Sequence, residues 1–422
     1  MTTMTLSGGS MDKLRSLGGT TALLMVLAVS SVLTMSCAGA RHGLPAVRPE
    51  ATRQILGGAD LSSVNELEDC GAVYQVDGEA RDPFEILAAA GMNAVRVRVW
   101  VEPTRTNYST LEDAARTLRR AKALGLSTML DFHYSDDWAD PGKQVIPAAW
   151  APALHDVATL AERVRSYTVE SLSYLGAQGL MPDVVQVGNE INTEILRPAG
   201  TRGWPIDWLR NATLLNAGIG GVRAMAGRYG SAPRVLLHIA QPENVEPWFD
   251  AALAHGVDDF DYIGISYYPY WSVQSIPELG ETVAHVRKKY DVDVMVVETG
   301  YDWTHEADLG AQLGAVGASP SDPKEVSSGG VASHSRLPEM EPGYPPSTDG
   351  QRRFLPRCHE GGAGRGRCRS LLLGAGRSPN ALHAENGSTE VDAFVLRHRQ
   401  WERAPSERRV LPCDRGAKQT AV

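Results

Sequence analysis

Short apolar runs recur along the chain, at residues 55–59, 94–100, 128–134, 184–187, 235–240, 262–268 and 294–297. Most are continuous rather than alternating, as strands covered on both faces require. Between them, residues 111–124 and 160–175 carry apolar positions at helical spacing, and the first of these stops on Gly125, a residue type that closes helices in the left-handed conformation. Strand–helix alternation sustained over about 250 residues predicts an α/β fold, a (β/α)8 TIM barrel. A doubly wound open sheet competes, but no G-x-G-x-x-G follows the first run, which removes its commonest cofactor reading.

The pattern changes outside that body. Lys13 and Arg15 precede an apolar stretch, residues 22–35, and then the small residues 36–40. This predicts an export signal over 1–40, with cleavage after Ala40 or lipidation at Cys37, and a product secreted or lipid-anchored at the cell surface. A short linker, 41–54, leads to a barrel over 55–355. Residues 304–340 are rich in Gly, Ser, Pro and Ala and read as a loop, and 343–355 reads as the start of a helix. From 356 to 422 the chain is Arg-rich and aperiodic; only 371–373 and 393–396 are apolar there, and both are short. That tail reads as disordered. Of the five cysteines only Cys70 lies in the body, so no disulfide framework is expected, and no C-x-x-C or zinc spacing occurs.

Charge narrows the ligand. The net charge is −9. From residue 345 on, 14 Lys and Arg face 8 Asp and Glu, a balance of +6 that leaves −15 on the first 344 residues. An acidic body disfavours nucleic acid and polyanionic sugars. A neutral ligand fits better, and no protein partner is expected.

Polar and aromatic residues gather where the strands end. They include Arg98 and Trp100, then His133, Asp136, Asp137 and Trp138, then Asn189 and Glu190, then His238 and Gln241. Tyr267, Tyr268 and Trp271 follow the sixth run, and Glu298 and Tyr301 the seventh. In a barrel these ends share one rim, where barrel enzymes keep their chemistry. Cleavage of a glycosidic bond needs two carboxyl groups, one held protonated and one charged. Glu190 and Glu298 meet that demand, with Arg98 as the cation expected beside Glu298. A separation of roughly 5–5.5 Å would mean retention of configuration and about 6.5–9.5 Å inversion. A lone Glu after a strand is more often a cap or a surface ion pair; the pair favours catalysis.

The run 131–141 packs four aspartates with His133 and Trp138. It matches neither an EF-hand nor a two-histidine zinc helix, so sugar binding outweighs metal, with a self-capped loop as the alternative for Asp140. Arg98, His133, Asp136, Asp137, Trp138, Asn189, His238, Tyr267, Tyr268 and Trp271 are the candidate sugar-binding residues. Ser266 stands in no G-x-S-x-G elbow, which sets aside a serine hydrolase.

The stretches Gly58-Ala59-Asp60-Leu61-Ser62, Val95 to Trp100, Leu130 to Asp136 with Trp138 to Pro141, Val185 to Ile191, Gly264 to Pro269 and Val296 to Thr299 together resemble the endo-β-1,4-galactanases of glycoside hydrolase family 53, in the large barrel clan of retaining enzymes. The resemblance spans about 56–303 and returns weakly over 343–355. It implies endo-hydrolysis of β-1,4-galactan, the neutral chain of pectin and type I arabinogalactan, with Glu190 as acid/base and Glu298 as nucleophile. Another clan endo-glycanase, a mannanase or glucanase, and an inactive galactan-binding protein are the alternatives. Three departures stand out. Arg197 occupies a region where relatives often carry an aromatic. Bacterial relatives often bind calcium through an acidic loop after strand seven, but residues 301–308 hold only scattered acids, so no cofactor is expected. Nothing after Leu355 matches the aromatic-Trp-Glu-Pro end of the family's last strand. That break predicts a shifted reading frame near Leu355 and an eighth strand missing or aberrant.

Overall fold

The computed structural model describes residues 56–269, 271–301, 343–344 and 353–354, and the backbone of 370–373. The expected signal, linker and 304–340 loop, most of the 301–308 stretch with its calcium question, and the tail apart from 370–373 lie outside the described residues.

Eight parallel strands close into a barrel: β1 Leu56–Asp60, β2 Ala94–Val99, β3 Ser127–Phe132, β4 Val184–Val187, β5 Arg234–Ala240, β6 Tyr262–Tyr267, β7 Asp293–Thr299 and β8 Ser370–Leu373. Chain neighbours pair throughout, and β8 pairs with β1 to close the ring. The seven apolar runs become β1–β7. Of the expected eighth strand, missing or aberrant, the second form is found, with residues 370–373 in its place. That stave is four residues long and meets β7 at one register pair, Leu371 with Val296. A small hairpin, Gln75–Val76 with Glu79–Ala80, was not legible in the sequence.

Among the described residues seven α-helices cover the outside: α1 Val64–Asp69, α2 Pro83–Ala89, α3 Leu111–Ala123, α4 Val157–Gly176, α5 Trp208–Arg223, α6 Val245–Ala254 and α7 Ile276–Tyr290. Their starts are chemically marked. Asp82, Thr110, Asp156 and Asp207 each accept from a backbone N–H of the first turn of α2, α3, α4 and α5, and Ser275 with Glu278 forms a capping box on α7. Such caps satisfy donors that the helix itself leaves unpaired, at about 1 kcal/mol each. Gly125, at φ +68°, lies one residue past the cap of α3. Cys70, at the end of α1, is disulfide-bonded, and its partner lies outside the described residues.

Strand alternation divides the side chains between two layers. Val95, Val97 and Val99 of β2 face outward onto α2 and α3, where Phe84, Leu87, Ala114 and Leu118 are buried. Inside, Ala94, Met129, Val184, Leu236, Tyr262, Met295 and Val297 form an apolar layer across the barrel. The next inward positions above it are polar, namely Arg96, Asp131, Gln186 and His238, all 3% exposed or less. One irregularity matters for the site. Ile265 pairs with Val296 but Ser266 pairs with Glu298, so β7 holds one extra residue, a β-bulge. Val294 and Val296 pack outward, Met295 and Val297 inward. Strict alternation would send Glu298 outward; the bulge returns it to the mouth.

Candidate active site

Glu190 follows β4 through a tight turn. Gly188 has φ +82°, and a Cβ there would meet the Ile191 side chain at 2.5 Å, so only glycine fits. Glu190 itself sits at φ +45°, a left-handed conformation costing about 1–3 kcal/mol for a non-glycine residue and concentrated at functional sites. The turn is held by Gln144, whose side-chain amide donates to the carbonyls of Asn189 (2.7 Å) and Glu190 (3.2 Å).

A buried polar network carries the site. Arg96 pairs with Asp60 (2.9 Å), Asp131 (2.8 Å) and Glu298 (3.0 Å), and donates to Gln186 and to Asn189 Oδ1 (2.8 Å). Its guanidinium therefore neutralises carboxylates from three strands at once. Tyr268 Oη donates to the other oxygen of Glu298 at 3.2 Å. Glu190 Oε1 accepts from Ser266 Oγ at 2.6 Å. His238 Nε2 lies 2.8 Å from that hydroxyl.

The two carboxyl groups differ electrostatically. Burial, and next the charge of Glu298, push the Glu190 carboxyl well above the ordinary range. Burial raises the Glu298 carboxyl too, but by less, because Arg96 pulls the other way without outweighing it. Burial and the two glutamates hold Tyr268 well above its ordinary value, so it remains a neutral donor. Burial, reinforced by Arg96, keeps the His238 imidazole neutral. One acid is thus biased toward protonation, and the other is held by a cation and a phenol.

The residues named from sequence divide into groups. Glu190, Asn189, Tyr268 and Glu298 come together. Arg98 does not reach Glu298: Arg96 does. The Arg98 guanidinium instead lies 4.3 Å over the Trp138 ring and 5.0 Å from that of Trp100, and donates to Ser109. It braces an indole wall that His133 completes, 5.6 Å from Trp138 and bonded to Asp131 and to the Ala139 N–H. Tyr267 and His238 are wholly buried. Tyr267 points outward and stacks 6.5 Å from Phe354, with its hydroxyl on the Gln274 carbonyl; it is core, and it is corrected as a sugar contact. His238 lies beneath the mouth and acts only through Ser266 and Glu190. Asp136 accepts from the N–H groups of Glu102 and Ala148, and Asp137 binds Arg105 and Lys143; these two tie the loop together. Asp140 accepts from the Gly142 N–H, the self-capped alternative. Trp271 is partly exposed just past the end of β6. Asp60, Arg96, Gln186 and Ser266 were missed, although alternating Arg in Val-Arg-Val-Arg-Val and a lone Gln in an apolar run were signals. Among the described residues no cluster of His, Cys, Asp or Glu is arranged to hold a metal.

The model described as Glycosyl hydrolase family 53 matches residues 56–327. An arabinogalactan endo-beta-1,4-galactanase of Cellvibrio japonicus is 49% identical over 270 residues, 63% of this chain and 71% of the relative. One of Humicola insolens is 35% identical over 252 residues, 58% and 73% respectively. Among solved structures, a fungal beta-1,4-galactanase superposes with a TM-score of 0.63 at 29% identity, over 76% of this chain and 88% of the other. The GH53 catalytic domain of Ignisphaera aggregans superposes with a TM-score of 0.62 at 28% identity, over 78% and 86%.

Proposed function

Since the chain belongs to glycosyl hydrolase family 53, we propose that it cleaves β-1,4-galactosidic linkages within galactan or type I arabinogalactan by double displacement, with Glu190 as acid/base and Glu298 as nucleophile. The observation that carries the assignment is the asymmetry of the two carboxyl groups: Glu298 is gripped by the Arg96 guanidinium and the Tyr268 phenol, whereas Glu190 has a hydroxyl donor, no bonded cation and the larger upward shift.

In the first step Glu298 attacks the anomeric carbon while Glu190 gives its proton to the departing oxygen, leaving a galactosyl ester and a Glu190 carboxylate. Esterification removes the negative charge that had raised Glu190. Its pKa then falls, which suits it to take a proton from the water that attacks in the second step. Tyr268, kept neutral, donates to Glu298 before attack and after release. The partly exposed Trp138 indole, backed by the buried Trp100 and stiffened by Arg98, is suited to the apolar face of a pyranose. The Lys13, Arg15 and 22–35 pattern supports export, where a polysaccharide would be met.

Reducing-end release from linear galactan, with mannan and cellulose as controls, tests the activity, and proton NMR of the first-formed anomer tests retention. Release confined to galactan with β-product is expected. A Glu298→Ala protein with an undiminished rate would remove the nucleophile assignment.

A further inference from the structure

The Ser266 hydroxyl lies between His238 Nε2 at 2.8 Å and Glu190 Oε1 at 2.6 Å. It has one proton and two neighbours. Which neighbour receives the proton is decided on the far side of the imidazole. His238 Nδ1 faces one committed donor, the Glu190 backbone N–H at 3.3 Å. The Gln186 amide nitrogen lies 3.1 Å away, but its oxygen is fixed on Arg96 Nε and Nη2 and its two hydrogens go to Asp131 Oδ1 at 2.7 Å and Asn189 Oδ1 at 3.0 Å, so it is no acceptor for an Nδ1 hydrogen. The nearby acceptor, Asn189 Oδ1 at 3.0 Å from Nδ1, already receives Arg96 and Gln186. Nδ1 is therefore an acceptor, and the neutral ring carries its hydrogen on Nε2, aimed at Ser266. Ser266 accepts there and can donate only to Glu190.

We propose that Ser266 is a positioning residue for the acid/base: its hydroxyl proton, locked by His238, occupies Glu190 Oε1, so that the acidic proton is carried on Oε2. The inference rests on the acid/base role proposed for Glu190. The serine proton does not move. As the anomeric C–O bond breaks, the proton on Oε2 passes to the departing oxygen, the bond electrons go with that oxygen, and Ser266 then donates to the new carboxylate. His238 sets the direction of the relay and is neither acid nor base. The register shift pairs Ser266 with Glu298 along the sheet, while the hydroxyl itself reaches Glu190.

The test is a carbon-13 carboxyl titration of glutamate-labelled protein, with the Glu190 signal assigned through Glu190→Gln. Glu298, Asp140, Arg96, His238 and Tyr268 also bear on Glu190 and are unchanged in the Ser266 variants, so the difference from the parent isolates the hydroxyl. Ser266→Ala removes a donor to the charged form and is expected to raise the Glu190 midpoint by about one pH unit. Ser266→Thr is expected to restore it. If the alanine protein does not fold, Ser266→Cys, near in volume and a weak donor, is expected to shift in the same direction. In kinetics, kcat/KM on galactan should fall about tenfold, whereas kcat/KM for an aryl galactobioside with a dinitrophenolate leaving group, whose first step needs no proton, is spared. A midpoint that stays put or falls overturns the proposal, and so does equal loss on both substrates. A parent protein inactive on galactan would strike the functional reading alone, since the titration is read without turnover.

Discussion

Removing the Arg96 guanidinium should destabilise the protein most at neutral pH. In Arg96→Met the carboxylates of Asp60, Asp131 and Glu298, now 2.9, 2.8 and 3.0 Å from that cation, lose their shared counter-charge inside the barrel. Breaking a buried ion pair by deleting one partner costs about 3–5 kcal/mol, which for a barrel of this size is a Tm lower by roughly 10 °C. The sign of the pH dependence follows from the shifts. Burial pushes Asp131 up, but Arg96, helped by His133, outweighs it and holds the carboxyl below its ordinary value. A depressed folded-state pKa contributes stability that is present above the unfolded pKa, near 3.9, and lost as pH falls through the folded value. The variant lacks that contribution, and its carboxyl groups rise. Its deficit should be full at pH 7 and shrink by pH 4, as the raised groups take up protons. Calorimetry of both proteins at the two pH values measures this. A deficit equal at both, or a Tm within 2 °C of the parent at pH 7, refutes the network argument.

Two further outcomes follow. Tyr268→Phe removes the phenol that donates to Glu298; kcat should fall by about tenfold or more, and the acid limb of kcat/KM should move to higher pH, because loss of a donor to the charged form raises the nucleophile's pKa. Tyr267→Ala, one residue earlier, should leave KM for galactan within twofold while lowering stability by about 3–5 kcal/mol, as for a large core ring; denaturant unfolding and initial rates separate the two.

That adjacent pair shows how far the sequence could be read. Runs long enough to cross the sheet announced β1–β7, and the spacing of apolar residues announced α3 and α4 to within a few positions. The two glutamates were legible because each ends an apolar run. Tyr267 and Tyr268 were not separable, since a period of two sends one outward and the next inward, and only the three-dimensional register says which. The choice between Arg96 and Arg98 failed for a related reason. Both point inward, and the stagger of a closed barrel, absent from any linear pattern, decides which one lies level with Glu298. The strand at 370–373 was passed over because four residues without a polar end give no signal above noise. Ser266 was judged as a nucleophile and set aside, when its role depends on a histidine 28 residues away.

The inserted residue in β7 has an implication for how such a catalyst can change. Val297 is apolar, and by register alone it is expendable: excising it restores plain alternation after Val296, with the following acid still inward opposite Ser266. What the residue supplies is filling, since it lies with Met129, Leu236 and Met295 in the apolar layer directly beneath the acid. Length along that stave is therefore set by the floor of the mouth, and a relative one residue shorter at this point would keep its acid but need a larger neighbour to close the hole.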